Sequence, residues 1–271
     1  MAKLVWNEPD KKLFESGLDR GVLYLQGPSV NWPGVAWNGL ISVNKTSGRA
    51  ITPVHFDAQV VSNTVSMGAF SGSLTAMTYP DEFATYEGDL ELRSGVYLTD
   101  QMPKVFCLSY RTLIGDGILG VEAGYKLHIV YNLMAVPQDK EYTTHSENPE
   151  AMELSWDLAA VPPSALGHRP TAHIILDSTR INSSLLRTVE TIIYGDAAMP
   201  AYLPPFEELM SILTAFFALT IVDNGDGTWD AIVHPDYEGE YIEFLPDDEF
   251  RIDNANAIYI DAETYEISDS L

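Results

Sequence analysis

The string Gly115-Asp-Gly-Ile-Leu-Gly120 is the first place in this 271-residue chain where residue types and spacing suggest chemistry. Glycines in a G-x-G-x-x-G pattern let a backbone close around a pyrophosphate, provided the next element is a helix whose N-terminal amides face the phosphates. The next element here is Tyr125-Lys-Leu-His-Ile-Val-Tyr131, an alternating strand, so the string reads as a hairpin loop. Asp223-Asn-Gly-Asp-Gly-Thr-Trp-Asp230 has the acids of a calcium loop in an unsuitable order. Counted from Asp223, glycines occupy the third and fifth positions, where oxygen ligands are needed. Counted from Asn224, Trp229 sits where the sharp turn needs glycine. It reads as a glycine-rich turn between two β-prone flanks.

The six histidines, His55, His128, His145, His168, His173 and His234, form neither an HExxH pair nor a Cys/His ligand spacing, and they read as exposed or strand-lining. No G-x-S-x-G elbow occurs. With 39 Asp plus Glu, carboxylate pairs a few ångströms apart arise by chance and do not identify a glycosidase. The expectation is a non-enzyme with no catalytic residue, metal or cofactor. Trp32, Trp37, Tyr79, Phe83 and Tyr86 could stack on sugars, although sheet cores and subunit contacts use the same residues more often.

The elements that would position any site are mostly strands. Met152-Glu-Leu-Ser-Trp-Asp-Leu158 places Met152, Leu154, Trp156 and Leu158 on one face and Glu153, Ser155 and Asp157 on the other. Period two with a wet face predicts an antiparallel strand packed on one side. Val105–Leu113, Tyr125–Val136 and Thr171–Asp177 read the same way, and shorter strands are expected at 22–25, 35–43, 52–61 and 73–79. Residues 1–20 carry little periodicity, and Glu8-Pro-Asp-Lys-Lys12 reads as an exposed arm that Val5, Trp6, Leu13 and Phe14 could pin. After Pro170 the period changes: Leu185, Leu186, Val189, Ile192 and Ile193 recur at helical spacing between Asn182 and Gly195, predicting a helix over 184–194. Met199-Pro-Ala-Tyr-Leu-Pro-Pro205 reads as a stiff linker. Beyond it, Pro205, Glu207 and Glu208 open a short helix, succeeded by the hairpin around Asp223–Asp230 and short strands at 241–245, 257–261 and 264–267. The predicted fold is all-β dominated, an antiparallel sandwich or barrel-like domain over 1–200 with one flanking helix, plus a small acidic helix-and-strands unit over 201–271.

Charge narrows the possibilities further. Fifteen Lys plus Arg leave a net of −24, and residues 201–271 hold 17 acids against one base. A surface built to grip nucleic acid is basic, so phosphate binding is not the expected task. The one cysteine, Cys107, excludes an intrachain disulfide and fits a reducing cytoplasm. No signal-peptide pattern opens the chain, and the longest apolar stretch, Leu209–Val222, is too short and interrupted to cross a bilayer, so no membrane insertion is expected.

Several segments resemble the major tail (tail tube) proteins of long-tailed, siphovirus-type bacteriophages, especially those of actinobacterial hosts. They are Gly17-Leu-Asp-Arg-Gly-Val-Leu-Tyr24, Gly34-Val-Ala-Trp-Asn-Gly-Leu40, Thr78-Tyr-Pro-Asp-Glu-Phe83, Gly124-Tyr-Lys-Leu-His-Ile-Val-Tyr131 and Arg169-Pro-Thr-Ala172. The resemblance implies a structural virion protein that closes into stacked, hexameric rings with copies of itself and meets other tail proteins. It implies assembly in the bacterial cytoplasm, location in the virion tail, and a bore through which genomic DNA passes without specific binding. The family has no catalytic residues to transfer. Glu153, Ser155 and Asp157, with Asp89 and Glu91, are the candidates for a polar bore-facing set, because they alternate with apolar neighbours. The alternative is a monomeric carbohydrate-binding β-sandwich acting in host-surface adhesion, with the aromatic set in a cleft.

Overall fold

The structure is a computed structural model. It describes residues 12–27, 31–66, 68–116, 120–142, 144, 151–165, 167–215 and the six short strands of the C-terminal unit. The chain divides into two compact units, Met1–Leu209 and Met210–Leu271.

The first unit is strand-dominated and antiparallel throughout. In chain order it contains β1 (Phe14–Tyr24), β2 (Trp32–Trp37), β3 (Leu40–Ser47), β4 (Ile51–Phe56), β5 (Gln59–Val65) and β6 (Phe70–Ala76). A 3-10 turn at Asp81–Phe83 runs into α1 (Ala84–Glu87), then β7 (Leu90–Arg93), β8 (Val96–Leu98), β9 (Phe106–Asp116), β10 (Gly120–Pro137), β11 (Leu154–Ala160) and β12 (His173–Asp177). It closes with α2 (Ser183–Tyr194) and β13 (Tyr202–Leu203). Helix α3 (Phe206–Ala215) straddles the division between the units.

One nine-stranded sheet runs β13-β2-β1-β9-β10-β11-β6-β3, with β12 also on β10. The 18-residue β10 makes this possible by bending at Asn132, which has φ +54° at a register shift between Val130 and Leu133. Before the bend β10 pairs with β12 and after it with β11, so the sheet forks there. The Asn132 side chain holds the fork, donating Nδ2 to the Val161 carbonyl at 3.1 Å and accepting Gln26 Nε2 at 3.2 Å. An unusual positive φ persists only where its surroundings fix it.

Two apolar layers result. Leu23, Trp37, Phe106, Leu108, Val130 and Leu133 from one part of the sheet meet Phe70, Leu74, Trp156 and Leu158 from the other, with Phe83 and Tyr86 between them. The second layer lies on the opposite face of β1, β9 and β10. There α2 buries Leu185, Leu186, Val189 and Ile193, and Tyr24 Oη donates to the Ile193 carbonyl at 3.0 Å. Asn182 caps α2 by accepting the amides of Ser184 and Leu185, and Gly195 ends it at φ +73°. Because both faces are covered, Phe106–Arg111 is buried without interruption, not half wet as its alternation suggested.

Other expectations are also corrected. Residues 14–20, where the sequence shows little periodicity, are strand: β1 pairs with β9 through two register shifts, with Gly17 at φ +69° and Arg20 at φ +48°. Those irregularities erase the period-two pattern that would have revealed it. The segment read as one strand at 52–61 is the hairpin β4–β5, turning at Asp57 and Ala58. Met199–Pro205 is tied down as a strand edge: Tyr202 and Leu203 pair with Pro33 and Trp32, and Leu203 is buried. Residues 1–11 and the loop tips 117–119 and 224–228 lie outside the described residues, while Asp116 pairs with Gly120 as a hairpin requires.

The second unit has three antiparallel pairs: β14 (Leu219–Asp223) with β15 (Trp229–Val233), β16 (Ile242–Phe244) with β17 (Phe250–Ile252), and β18 (Ile258–Ile260) with β19 (Ile267–Asp269). Strand β17 was not expected from the sequence. No described helix is long and apolar enough to cross a membrane.

Candidate functional site

Alternation along β11 survives in the structure: Trp156, Leu158 and Ala160 are buried while Asp157 and Ala159 are exposed and Ser155 is half-buried. Cross-strand register extends this outer face over three strands, since paired residues point the same way. Ser155 stands opposite Thr75, which stands opposite Ser42. Asp157, Ser73 and Asn44 form the next row, and Ala159, Ser71 and Thr46 the third. Thr75 and Ser155 hydroxyls lie 3.2 Å apart, Asn44 Nδ2 donates to Ser73 Oγ at 3.4 Å, and Gln138 Nε2 donates to Asp157 at 2.7 Å. The rows hold six short hydroxyls, one amide, one carboxylate and an alanine, with no lysine or arginine.

The remaining bore candidates lie elsewhere. Glu153 is exposed immediately before β11. Asp89 comes just after α1 and is half-buried, its carboxyl pushed up from the usual range by burial and by Glu87 nearby. Glu91 belongs to the hairpin β7–β8 and accepts the Gly95 amide at 3.0 Å, bracing its own turn. Ser155 and Asp157 therefore share a sheet face that Asp89 and Glu91 do not.

The most exposed apolar surface was not legible as such. In β4–β5 every residue is exposed, including Ile51 at 69%, Phe56 at 71%, Val61 at 66% and Val65 at 56%. In β7–β8 every residue is exposed too, with Leu90, Leu92, Val96, Tyr97 and Leu98 each between 43 and 57%. Two-stranded hairpins with both faces wet are marginal in water, and apolar ones call for a covering partner.

The aromatic set proposed for sugar stacking is largely core. Trp37, Phe83 and Tyr86 are buried, and the Phe83 ring centroid lies 4.6 Å from Trp37, 5.3 Å from Trp156 and 5.4 Å from Phe106. Trp156 Nε1 donates at 2.6 Å to the buried Glu87 carboxylate, which Lys140 Nζ approaches at 3.3 Å.

One titratable cluster was missed. His128 on β10 and His173 on β12 are diagonal neighbours, because Val130 is paired with His173. Lys45 Nζ lies 3.0 Å from His173 Nδ1, His173 Nε2 lies 3.0 Å from His128 Nδ1, and His128 Nε2 lies 3.0 Å from Thr112 Oγ1. Thr112 in turn donates to Glu15 at 3.4 Å, and Lys126 pairs with Glu15. An ammonium only donates, so His173 Nδ1 accepts and both neutral imidazoles carry their proton on Nε2. Donors then run one way across five strands, from β3 to β1. Burial pushes His128 down to about 4 and His173 down to about 3. Burial pushes the free Cys107 thiol up to about 12, leaving it an inert core residue.

Among the described residues no group of three or more His, Cys, Asp or Glu is placed to hold a metal ion. No protein-family model matches the sequence, and no curated protein matches it.

Proposed function

We propose that the chain is the subunit of a bacteriophage tail tube, a structural protein whose copies close into stacked rings around a bore for DNA. The observation that carries this reading is the pair of hairpins, β4–β5 and β7–β8, in which every residue is exposed and the apolar ones have no covering layer within the described residues. Surface of that kind is stabilised by a second chain, and repeated heterologous contacts close rings or extend filaments. The face bearing Ser155, Asp157, Ser73 and Thr75 supports the bore assignment. A polyanion passing over hydroxyls and a carboxylate meets no cation to hold it, and it releases no counterions by binding. In the sugar-binding alternative, Trp37, Phe83 and Tyr86 would have to leave the core to reach a glycan.

Negative-stain electron microscopy of the concentrated full-length protein tests the proposal. Rings or stacked tubes with a central hole are the expected result. Particles that stay monomeric at every concentration, and also when tail-tip components are added as a nucleus, would overturn it.

A further inference from the structure

Three of the chain's fifteen Lys and Arg border one cleft that no carboxylate lines, although acids outnumber bases more than twofold. The cleft measures about 600 Å³ and is bordered by Lys45, Arg49, Arg169 and His173, with the buried Phe70 and Ala172 also in its wall. Lys45 is fixed there without being neutralised. Its ammonium donates to the uncharged His173 ring and lies 5.9 Å from the Phe70 ring centroid. The one-way donor chain through His128 and Thr112 anchors that imidazole, with its Nδ1 turned to Lys45. The charge of Lys45 is thus preorganised for an anion that the described residues do not supply.

Two further features define what would fit. Lys45 and Thr46 belong to β3, the terminal strand of the sheet, and no described strand pairs with its outer edge. Such an edge accepts an extended segment through main-chain hydrogen bonds. The volume falls in the range of about 300–1,000 Å³ typical of small-ligand sites, which suits a few residues better than a folded surface.

We infer that the cleft receives an extended acidic segment from a second copy of this chain. Charge complementarity carries the choice of occupant: every copy brings a net of −24, and residues 201–271 alone supply 17 acids against one base. Among copies so acidic, a contact that sets opposite charges face to face is favoured over one that brings acids together, and the cleft offers three cations together. The inference rests on the proposed self-assembly only in requiring that copies meet.

The test is zero-length carbodiimide coupling, which joins lysine amines to carboxylates in contact. It would be applied to a mixture of ¹⁴N- and ¹⁵N-labelled full-length protein over a concentration series, with the same samples imaged. The expected product is a Lys45–carboxylate link of mixed isotope. Tubes without such links, or Lys45 links confined to one copy, overturn the inference and spare the tube. Mixed links without tubes or rings do the reverse. In dilute protein, shielding of Lys45 from acetylation by added duplex DNA or inorganic phosphate would also overturn it, assigning the cleft to a phosphate instead. The variant Lys45→Gln/Arg49→Gln/Arg169→Gln changes exposed side chains and should keep its melting temperature. Its self-association should weaken roughly tenfold, the scale of a few exposed ion pairs; unchanged self-association would count against the inference.

Discussion

Replacing Phe56 and Val61 with serine should abolish tube growth at concentrations where the parent protein assembles, while leaving the folded monomer untouched. Phe56 is 71% and Val61 66% exposed, so neither contributes much to the monomer. Full burial of such a side chain contributes about 1.5–3 kcal/mol. With about two thirds of each side chain still available for covering, a partner gains about 1–2 kcal/mol from each and about 3 kcal/mol from the pair. At 1.4 kcal/mol per factor of ten, the contact weakens about a hundredfold. Sedimentation across a dilution series reads this as a rise in the critical concentration for pelleting. Calorimetry on the unassembled protein should show a melting temperature within the range of ordinary surface substitutions, about ±0.5 kcal/mol in stability. An unchanged critical concentration would show that β4–β5 is not a contact. A large fall in melting temperature would show that its side chains pack within the monomer, and either result breaks the reasoning from exposed hairpins to assembly.

Three other outcomes are expected. His128 and His173 are held neutral when folded, with pKa values pushed down to about 4 and about 3 by burial, whereas in the unfolded chain they titrate at about 6.5. Between those values the unfolded state binds more protons, so stability should be full above pH 7 and fall as pH drops from 6.5 toward 4. Urea midpoints at pH 7.5 and 5 should show that fall, and His128→Gln/His173→Gln should reduce it even though Glu15, Lys126 and Lys45 remain nearby; an equal fall in the variant would contradict the assignment. Asn132→Ala, which keeps the φ of +54° and removes two side-chain hydrogen bonds, should cost about 2–3 kcal/mol in urea denaturation. Asn132→Gly should cost less, because it relieves the backbone, and the reverse order would mean that the bend is not strained. Glu153→Lys with Asp157→Lys should permit tubes yet retard or trap DNA during ejection, so particles of normal infectivity would remove these residues from the bore.

How far the sequence revealed the fold depends on how local each signal was. Helix α2 was readable to within a residue, because Asn182, the apolar stripe and Gly195 are all contiguous. Strand β11 was readable because Leu154, Trp156 and Leu158 alternate with Ser155 and Asp157, which that alternation placed on the outer face, although Met152, read as part of the apolar face, lies before the strand and is exposed. The first half of β1 was hidden by bulges, and the β4–β5 turn by Asp57 and Ala58, which adopt φ +47° and +59° without a glycine to mark the place. Double burial of β9 depends on α2, some eighty residues downstream, and no strand carries that information within itself. The same holds for the histidine pair. Each ring could be placed on a strand, but their meeting depends on β10 bending at Asn132 so that β12 pairs before the bend and β11 after it.

Self-association of a chain carrying −24 requires contacts that do not bring acids together, and the exposed hairpins have that composition. Residues 51–65 include one charged side chain, Asp57, in a chain where 20% of residues are charged. Acids on other surfaces of neighbouring copies are screened within about 8 Å at physiological salt. Contacts through β4–β5 therefore gain apolar burial while adding little repulsion. The Ser155–Asp157 face has the opposite composition, short polar groups that bond to one another and few that would bond to anything passing. The nine-stranded sheet carries a core and this polar face at once because its register sends alternate residues to opposite sides: Trp156 and Leu74 turn into the core as Asp157 and Ser73 turn out. A one-residue slip of β11 against β6 would exchange those sets, placing Trp156 on the outer face and a carboxylate in the core, so any change that favours such a slip would lose fold and assembly together.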